Sequence, residues 1–237
     1  MPSHISYCPA SATQDASYHL IYFITGNPGL VSYYNTFLST LDNLLQNSQD
    51  DCFHIYSQCL AGFDDDEEPS KTTTESQITP YSLEDQVQIS LKSLQEQRIP
   101  SGARNDQSYD NIILIGHSIG SYMLLEIIQR LKRSSSPLKI KAGILLFPTV
   151  THIAQSPGGV KITTLFRIPD FPRRASTAVK SLLWLTPNAV LKWLVGLVAG
   201  MPDDAAEVTT RFLKSRMGIW QALLVLVLFS ISLLIPA

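Results

Sequence analysis

The chain has 237 residues, 45% of them apolar, which is enough for one sizeable domain carrying an appendage. Eighteen basic against twenty acidic residues leave a net charge of −2, and no basic stripe with interleaved aromatics occurs, so nucleic acid is excluded as a partner. Cys8, Cys52 and Cys59 are few, odd in number and without clustered histidines, which excludes a zinc site and implies reduced thiols in a cytosol-facing protein.

The first residues lack both a basic stretch and an apolar core, so no secretory signal is expected. Residues 18–25, YHLIYFIT, are apolar, β-branched and aromatic and end at Gly26, which predicts a buried strand. Tyr34, Phe37, Leu38, Leu41, Leu44 and Leu45 then follow the spacing of a core-facing helix. FHIYSQC, 53–59, reads as a second strand, and the charged run 64–79 as an exposed, mobile loop.

Leu83, Val87, Leu91 and Leu94 predict a helix, and after the polar connection PSGARNDQSYDN a wholly apolar strand follows at 112–115. The next helix keeps Leu124, Ile127, Ile128 and Leu131 on one face and stops in SSSP, 134–137; IKAGILLF, 140–147, predicts another buried strand. Alternating strands and helices of this kind imply an α/β fold, a parallel sheet with helices on both faces, over residues 1–150.

After Pro148 no strand-like run appears, and 151–217 reads as a helical, lipophilic cap. Thr186 and Pro187 predict a helix start, with Thr186 supplying a capping oxygen. The helix NAVLKWLVGLVAG is apolar almost all round, which places it deep in a core or against lipid; Gly200 and Pro202 end it, and Asp203 or Asp204 begins another towards Lys214. Residues 218–237 carry no charge and as a helix would measure about 30 Å, the thickness of a hydrocarbon core, so a membrane helix is expected there. Arg211, Lys214 and Arg216 precede it and predict a cytosolic face for the rest of the chain.

Chemistry concentrates at Gly116-His117-Ser118-Ile119-Gly120, a G-x-S-x-G sequence with a strand running in and a helix running out, as a nucleophile elbow requires. Ser118 is the candidate nucleophile; Gly116 and Gly120 let strand and helix approach, and His117 shapes the bend with its side chain turned away. Acyl transfer also needs two N–H donors aimed at the developing oxyanion. Ile119 offers one at the helix N-terminus, and Thr25-Gly26-Asn27-Pro28-Gly29 offers the other; Pro28 has no N–H, so Asn27 is the candidate and Gly29 the next. This chemistry calls for no cofactor and no metal.

Three stretches in this order, IYFITGNPGLVSYYNTFL, GHSIGSYM and LLFPTVTHIAQSPGG, resemble the lipid-droplet-associated hydrolase family, especially its fungal members, over roughly residues 18–221. The resemblance implies an α/β-hydrolase fold, a serine nucleophile at Ser118, residence on lipid droplets and the endoplasmic reticulum membrane, and activity on sterol or other lipid esters. It also implies a catalytic histidine supplied beyond the cap, and here the pattern breaks. The chain turns into its apolar tail soon after Trp220-Gln221-Ala222-Leu223, and the positions of the final histidine and its strand are absent, which predicts a truncated product or a mis-spliced gene with a tail foreign to the family, and one sheet edge exposed unless the tail covers it. After Ser118 the one histidine is His152, which follows the strand 140–147 and is the candidate base, with a structural role as its alternative. The expected function is a lipid-ester hydrolase whose partner is a lipid surface, a membrane or a droplet monolayer. Its rivals are a non-catalytic droplet-associated protein on the same scaffold, serving lipid storage, and an acyltransferase.

Overall fold

In a computed structural model, residues 3–8, 16–46, 51–63, 80–150, 164, 168–215 and 217–232 are described. Two compact units are distinguished, one from Pro2–Leu60 and Glu84–Val150, the other mainly from Ala61–Leu83 and Thr151–Ala237.

The first unit is a five-stranded sheet formed by β1 (His4–Tyr7), β2 (Ser17–Ile24), β3 (Asp51–Gln58), β4 (Asn111–His117) and β5 (Ile140–Leu146) in the order β1-β3-β2-β4-β5. β2, β3, β4 and β5 run parallel; β1 pairs antiparallel with β3, so the sheet is mixed rather than wholly parallel. β1 escapes sequence reading because it is four residues long with a single buried side chain, Ile5. β2 and β4 are continuous apolar runs because both faces are covered: Leu20, Tyr22, Ile24, Leu114 and Ile115 are buried.

The helices of this unit are α1 (Asn35–Leu45), which follows a 3-10 turn at Val31–Tyr34, α2 (Leu83–Glu96) and α3 (Ile119–Arg133). α3 buries Met123, Leu124, Ile127 and Leu131, as its spacing predicts. α1 differs. Of its predicted core face only Leu38 is fully buried, while Phe37 and Leu44 are exposed. The helix packs on β1 and β3, the edge pair, so only the stripe through Leu38 has sheet beneath it.

β5 corrects the expectation of a buried strand. It is an outer strand with β4 as its neighbour, and Ile144 and Leu145 are exposed. On the face towards α3, Gly143 leaves room for Leu124 and Ile128, whose methyl carbons a β-carbon would meet at 3.2 and 3.4 Å.

The second unit is helical: α4 (Phe171–Trp184), α5 (Asn188–Ala199), α6 (Asp203–Lys214) and α7 (Gly218–Ser232). α5 ends at Gly200, which takes the left-handed conformation at φ 61°, as expected of a C-terminal glycine. Its start differs from expectation: the first helical residue is Asn188, and no side chain caps it. Thr186 contributes its carbonyl instead, accepting from Lys214 Nζ.

α7 covers the described part of the segment 218–237, where a membrane helix is expected. It packs against α4 and α6 and buries Ile219, Gln221 and Val225. The Gln221 amide donates from Nε2 to the Tyr81 carbonyl and accepts from the Tyr81 N–H, both at 2.8 Å. Among the described residues no single helix is long and apolar enough to cross a membrane. The run 64–79 lies outside the described residues.

Candidate active site

Two strand ends meet to make the site. The chain passes from β2 to β3 on one side and returns across to β4 on the other, so β2 and β4 diverge at a switch in strand order, where open α/β sheets gather their ligands. The register pairs Ile24 with Gly116. Ile24 leads into Thr25-Gly26-Asn27 and Gly116 into His117-Ser118, so the two segments singled out in the sequence leave the sheet side by side.

Ser118 sits at φ 53° and ψ −120°, a conformation that costs an L-residue roughly 1–3 kcal/mol and that the surroundings must enforce. The enforcement is visible. Ser118 N–H donates to the Leu146 carbonyl at 2.9 Å, prolonging the β4–β5 pairing into the bend. Its carbonyl accepts from Ser121 N–H at 3.0 Å, and Ser121 Oγ donates back to the Gly116 carbonyl at 2.7 Å. A β-carbon on Gly116 would lie 2.4 Å from the Gly120 oxygen, and one on Gly120 would lie 2.4 Å from the Ile24 oxygen and 2.5 Å from that of Thr25. These are backbone atoms that cannot step aside. The two glycines therefore press α3 against both strand ends, and Ser118 is held half-buried at the mouth.

Ile119 is the first residue of α3, so its N–H belongs to the unpaired donors of a helix N-terminus. Asn27 lies just beyond the end of β2, and its bond to Pro28 is cis. The loop carrying it is fixed by a residue that sequence spacing assigns to a core face, Tyr34. Its hydroxyl accepts from Gly26 N–H at 2.9 Å and also shares a hydrogen bond with His117 Nδ1, at 2.9 Å. Burial pushes the His117 pKa down and that of Tyr34 up, so both are neutral near pH 7.

The His117 ring lies edge-on to Tyr34 and to Phe147, at centroid distances of 5.5 and 6.0 Å. Its role is to join the bend to the Gly26–Asn27 loop. A β-carbon on Gly26 would lie 2.8 Å from His117 Nδ1, so the approach needs glycine there.

Ser118 Oγ has Thr149 Oγ1 as its hydrogen-bond partner, at 3.0 Å, and Thr149 N–H donates to the Ser118 carbonyl at 3.3 Å. Sequence reasoning misses Thr149. Its signal is positional, three residues beyond the strand that flanks the nucleophile strand. His152, the candidate base, lies outside the described residues. Among the described residues no group of His, Cys, Asp and Glu side chains could hold a metal ion.

A protein family described as lipid-droplet associated hydrolase matches residues 17–226. The lipid droplet-associated hydrolase of Gallus gallus is 33% identical over 150 residues, which cover 62% of this chain and 41% of that protein. The Rattus norvegicus protein of the same name is 32% identical, over 62% of this chain and 42% of that one. That of Dictyostelium discoideum is 26% identical over 87% and 59%. The chain thus spans well under two thirds of the length of these relatives. Among solved structures, juvenile hormone epoxide hydrolase from Bombyx mori superposes with a TM-score of 0.54 at 11% identity, over 95% of this chain and 54% of that one. MGS-M2, an α/β hydrolase from a deep-sea metagenome library, superposes with a TM-score of 0.50 at 13% identity, over 96% and 68%. At such identities these likenesses speak for the α/β-hydrolase fold alone.

Proposed function

This chain belongs to the lipid-droplet-associated hydrolase family, and from that premise we propose that it is a serine ester hydrolase acting on a sterol or acylglycerol ester at a droplet surface. The observation that carries the reading is the strained backbone of Ser118 at the switch in strand order, between buried β4 and α3. In this reading Ser118 Oγ attacks the acyl carbonyl while a base takes its proton. The N–H groups of Ile119 and Asn27 receive the negative charge that grows on the carbonyl oxygen. The alcohol leaves with a proton, and water then releases the fatty acid from Ser118. Residues 1–150 are the hydrolase core with the nucleophile elbow, 151–217 the lipophilic cap, and His152, at the start of that second segment, is the candidate base. The protein faces the cytosol from the droplet or the endoplasmic reticulum membrane.

A second reading, a non-catalytic droplet protein on a hydrolase scaffold, is favoured by one observation. Among the described residues, the groups near Ser118 are already paired with one another: Thr149 bonds its hydroxyl, and the neighbouring imidazole bonds Tyr34. The two readings differ enormously in rate, since loss of the histidine of a serine triad lowers turnover on the order of a millionfold. A fluorophosphonate probe separates them. The enzyme reading expects labelling of the folded protein that disappears in Ser118→Ala, together with hydrolysis of a short-chain ester. A folded protein that takes no label and releases no acid supports the scaffold reading instead.

A further inference from the structure

β4 and β5 end side by side, at the register partners His117 and Leu146. The next residue of each strand turns into the left-handed region: Ser118 at φ 53° and Phe147 at φ 45°. For a residue as bulky as phenylalanine that conformation is a true outlier. Such strain persists only where the surroundings over-determine it, and it gathers at functional sites. Packing of the Phe147 ring does not account for it, since that side chain is 85% accessible and meets the edge of His117 at 6.0 Å.

What the bend at Phe147 achieves is the return of the chain onto the nucleophile. Pro148 stiffens the turn, and Thr149 comes back to Ser118. One tetrapeptide then holds every polar group of Ser118. Leu146 accepts from its N–H at 2.9 Å, Thr149 N–H donates to its carbonyl at 3.3 Å, and Thr149 Oγ1 lies 3.0 Å from its Oγ. A serine side chain has three staggered positions, and a partner for Oγ selects one of them.

A hydroxyl is a partner of a particular kind, because it can either donate or accept. When a base takes the Ser118 proton, Oγ becomes an acceptor alone, and the Thr149 O–H is then its donor. Hydrogen bonds to a charged oxygen are shorter and stronger than those between neutral groups. The contact therefore tightens as negative charge grows on Oγ, which is the kind of interaction that accelerates a step. Thr149 keeps its own proton throughout. Once Oγ has bonded to the acyl carbon it carries no charge, and the contact relaxes.

We propose that Thr149 is a second hydroxyl of the catalytic site, which sets the direction of Ser118 Oγ and donates to it as the proton departs. This role rests on the serine-hydrolase reading above and deepens it by naming a group that acts on the nucleophile itself.

The test follows labelling of the full chain by an alkyl fluorophosphonate over a range of concentrations, which separates reversible binding from bond formation. Thr149→Val keeps the branched shape and the N–H but removes the hydroxyl; Thr149→Ala removes it without the branch. Bond formation is expected to slow about ten- to a hundredfold in both, with the half-saturating concentration and the urea midpoint close to those of the wild type. Thr149→Ser, which keeps the hydroxyl, is expected to stay within about threefold of the wild type. Labelling of Thr149→Val at the wild-type rate or faster overturns the proposal, the faster rate showing that the contact restrains Ser118. Equal slowing in Thr149→Ser also overturns it, because shape and not the hydroxyl then matters. Slowing that tracks a fall in urea midpoint in both Thr149→Val and Thr149→Ala assigns Thr149 a structural role alone. A folded wild type that takes no label removes the hydrolase reading, and this role with it.

Discussion

β4 and β5 lie side by side and carry the same kind of sequence, ILIG in one and GILL in the other, yet they live in opposite surroundings. Ile115 and Ile144 are partners in register, on the same face of the sheet; the first is 5% accessible and the second 43%. Side-chain chemistry is equal in the two. What differs is the number of neighbouring strands: among the described residues β4 has one on each side, and β5 is an outer strand with β4 alone beside it. Apolarity in a sequence reports what a segment would gain by being covered, and the cover itself comes from other parts of the molecule.

Matched substitutions test this contrast most strongly. Ile115→Ala is expected to cost about 2–4 kcal/mol of unfolding free energy, because it removes buried methyl groups and leaves a cavity. Ile144→Ala is expected to cost less than about 1.5 kcal/mol, since water already reaches much of that side chain. Urea titration of both variants gives the comparison directly, and equal losses would show that β5 is as well covered as β4.

The histidines sharpen the same contrast among polar groups. On β3, next to the edge, His54 is nevertheless buried. Its Nε2 lies 2.8 Å from Ser6 Oγ, and its Nδ1 bonds Tyr109, whose hydroxyl donates to the Arg98 carbonyl. Since that proton is engaged, Nδ1 carries the ring hydrogen and Nε2 accepts from Ser6. Burial lowers the His54 pKa from 6.5 to about 4. The folded state therefore binds fewer protons than the unfolded chain in this range. Stability is complete above about pH 6.5, declines on acidification, and levels off below about pH 4.

Arg130 holds the Glu84 carboxyl well below the usual range, so the stability that pair contributes is lost only below about pH 4.5. The window from pH 6.5 to 4.5 thus belongs to the two histidines whose pKa burial lowers, His54 and His117. Over it His54 is expected to account for a loss on the order of 2 kcal/mol, His54→Gln to keep only the share of His117, and His54→Gln/His117→Gln to lose almost none. An undiminished slope in His54→Gln assigns the proton uptake to another group.

The smallest expected effect concerns the end of the same sheet where Ser118 sits. Tyr34→Phe keeps the ring packed against Phe23, at 4.7 Å, but removes the hydroxyl between Gly26 and His117. It should cost about 1 kcal/mol of stability and slow fluorophosphonate labelling of Ser118 several-fold without abolishing it. Labelling at the wild-type rate would mean that the Gly26–Asn27 loop holds its place unaided.

Much of this architecture is legible in the residues. β2, β3 and β4 stand out as apolar runs, and the bend at Ser118 as small residues between a strand and a helix; all are local signals. Tyr34 and Thr149 are not local. Each owes its position to a partner at a distance, His117 in one case and Ser118 in the other, and a hydroxyl in a sequence does not state what it will meet. α7 is ambiguous for a related reason. Its uncharged run has the composition of a membrane helix, and burial of Ile219 and Val225 shows the same apolar character used against protein in its first turns.

Gln221 carries a consequence for how the polypeptide matures. It grips both backbone groups of Tyr81 from 140 positions further along. At ribosomal speeds of roughly 5–20 residues per second, Tyr81 emerges about 7–28 seconds ahead of the amide that will clasp it. All five strands have by then been made, so the sheet can assemble first while the segment around Tyr81 waits, and residue 221 must be in place before the helical part can fasten itself shut.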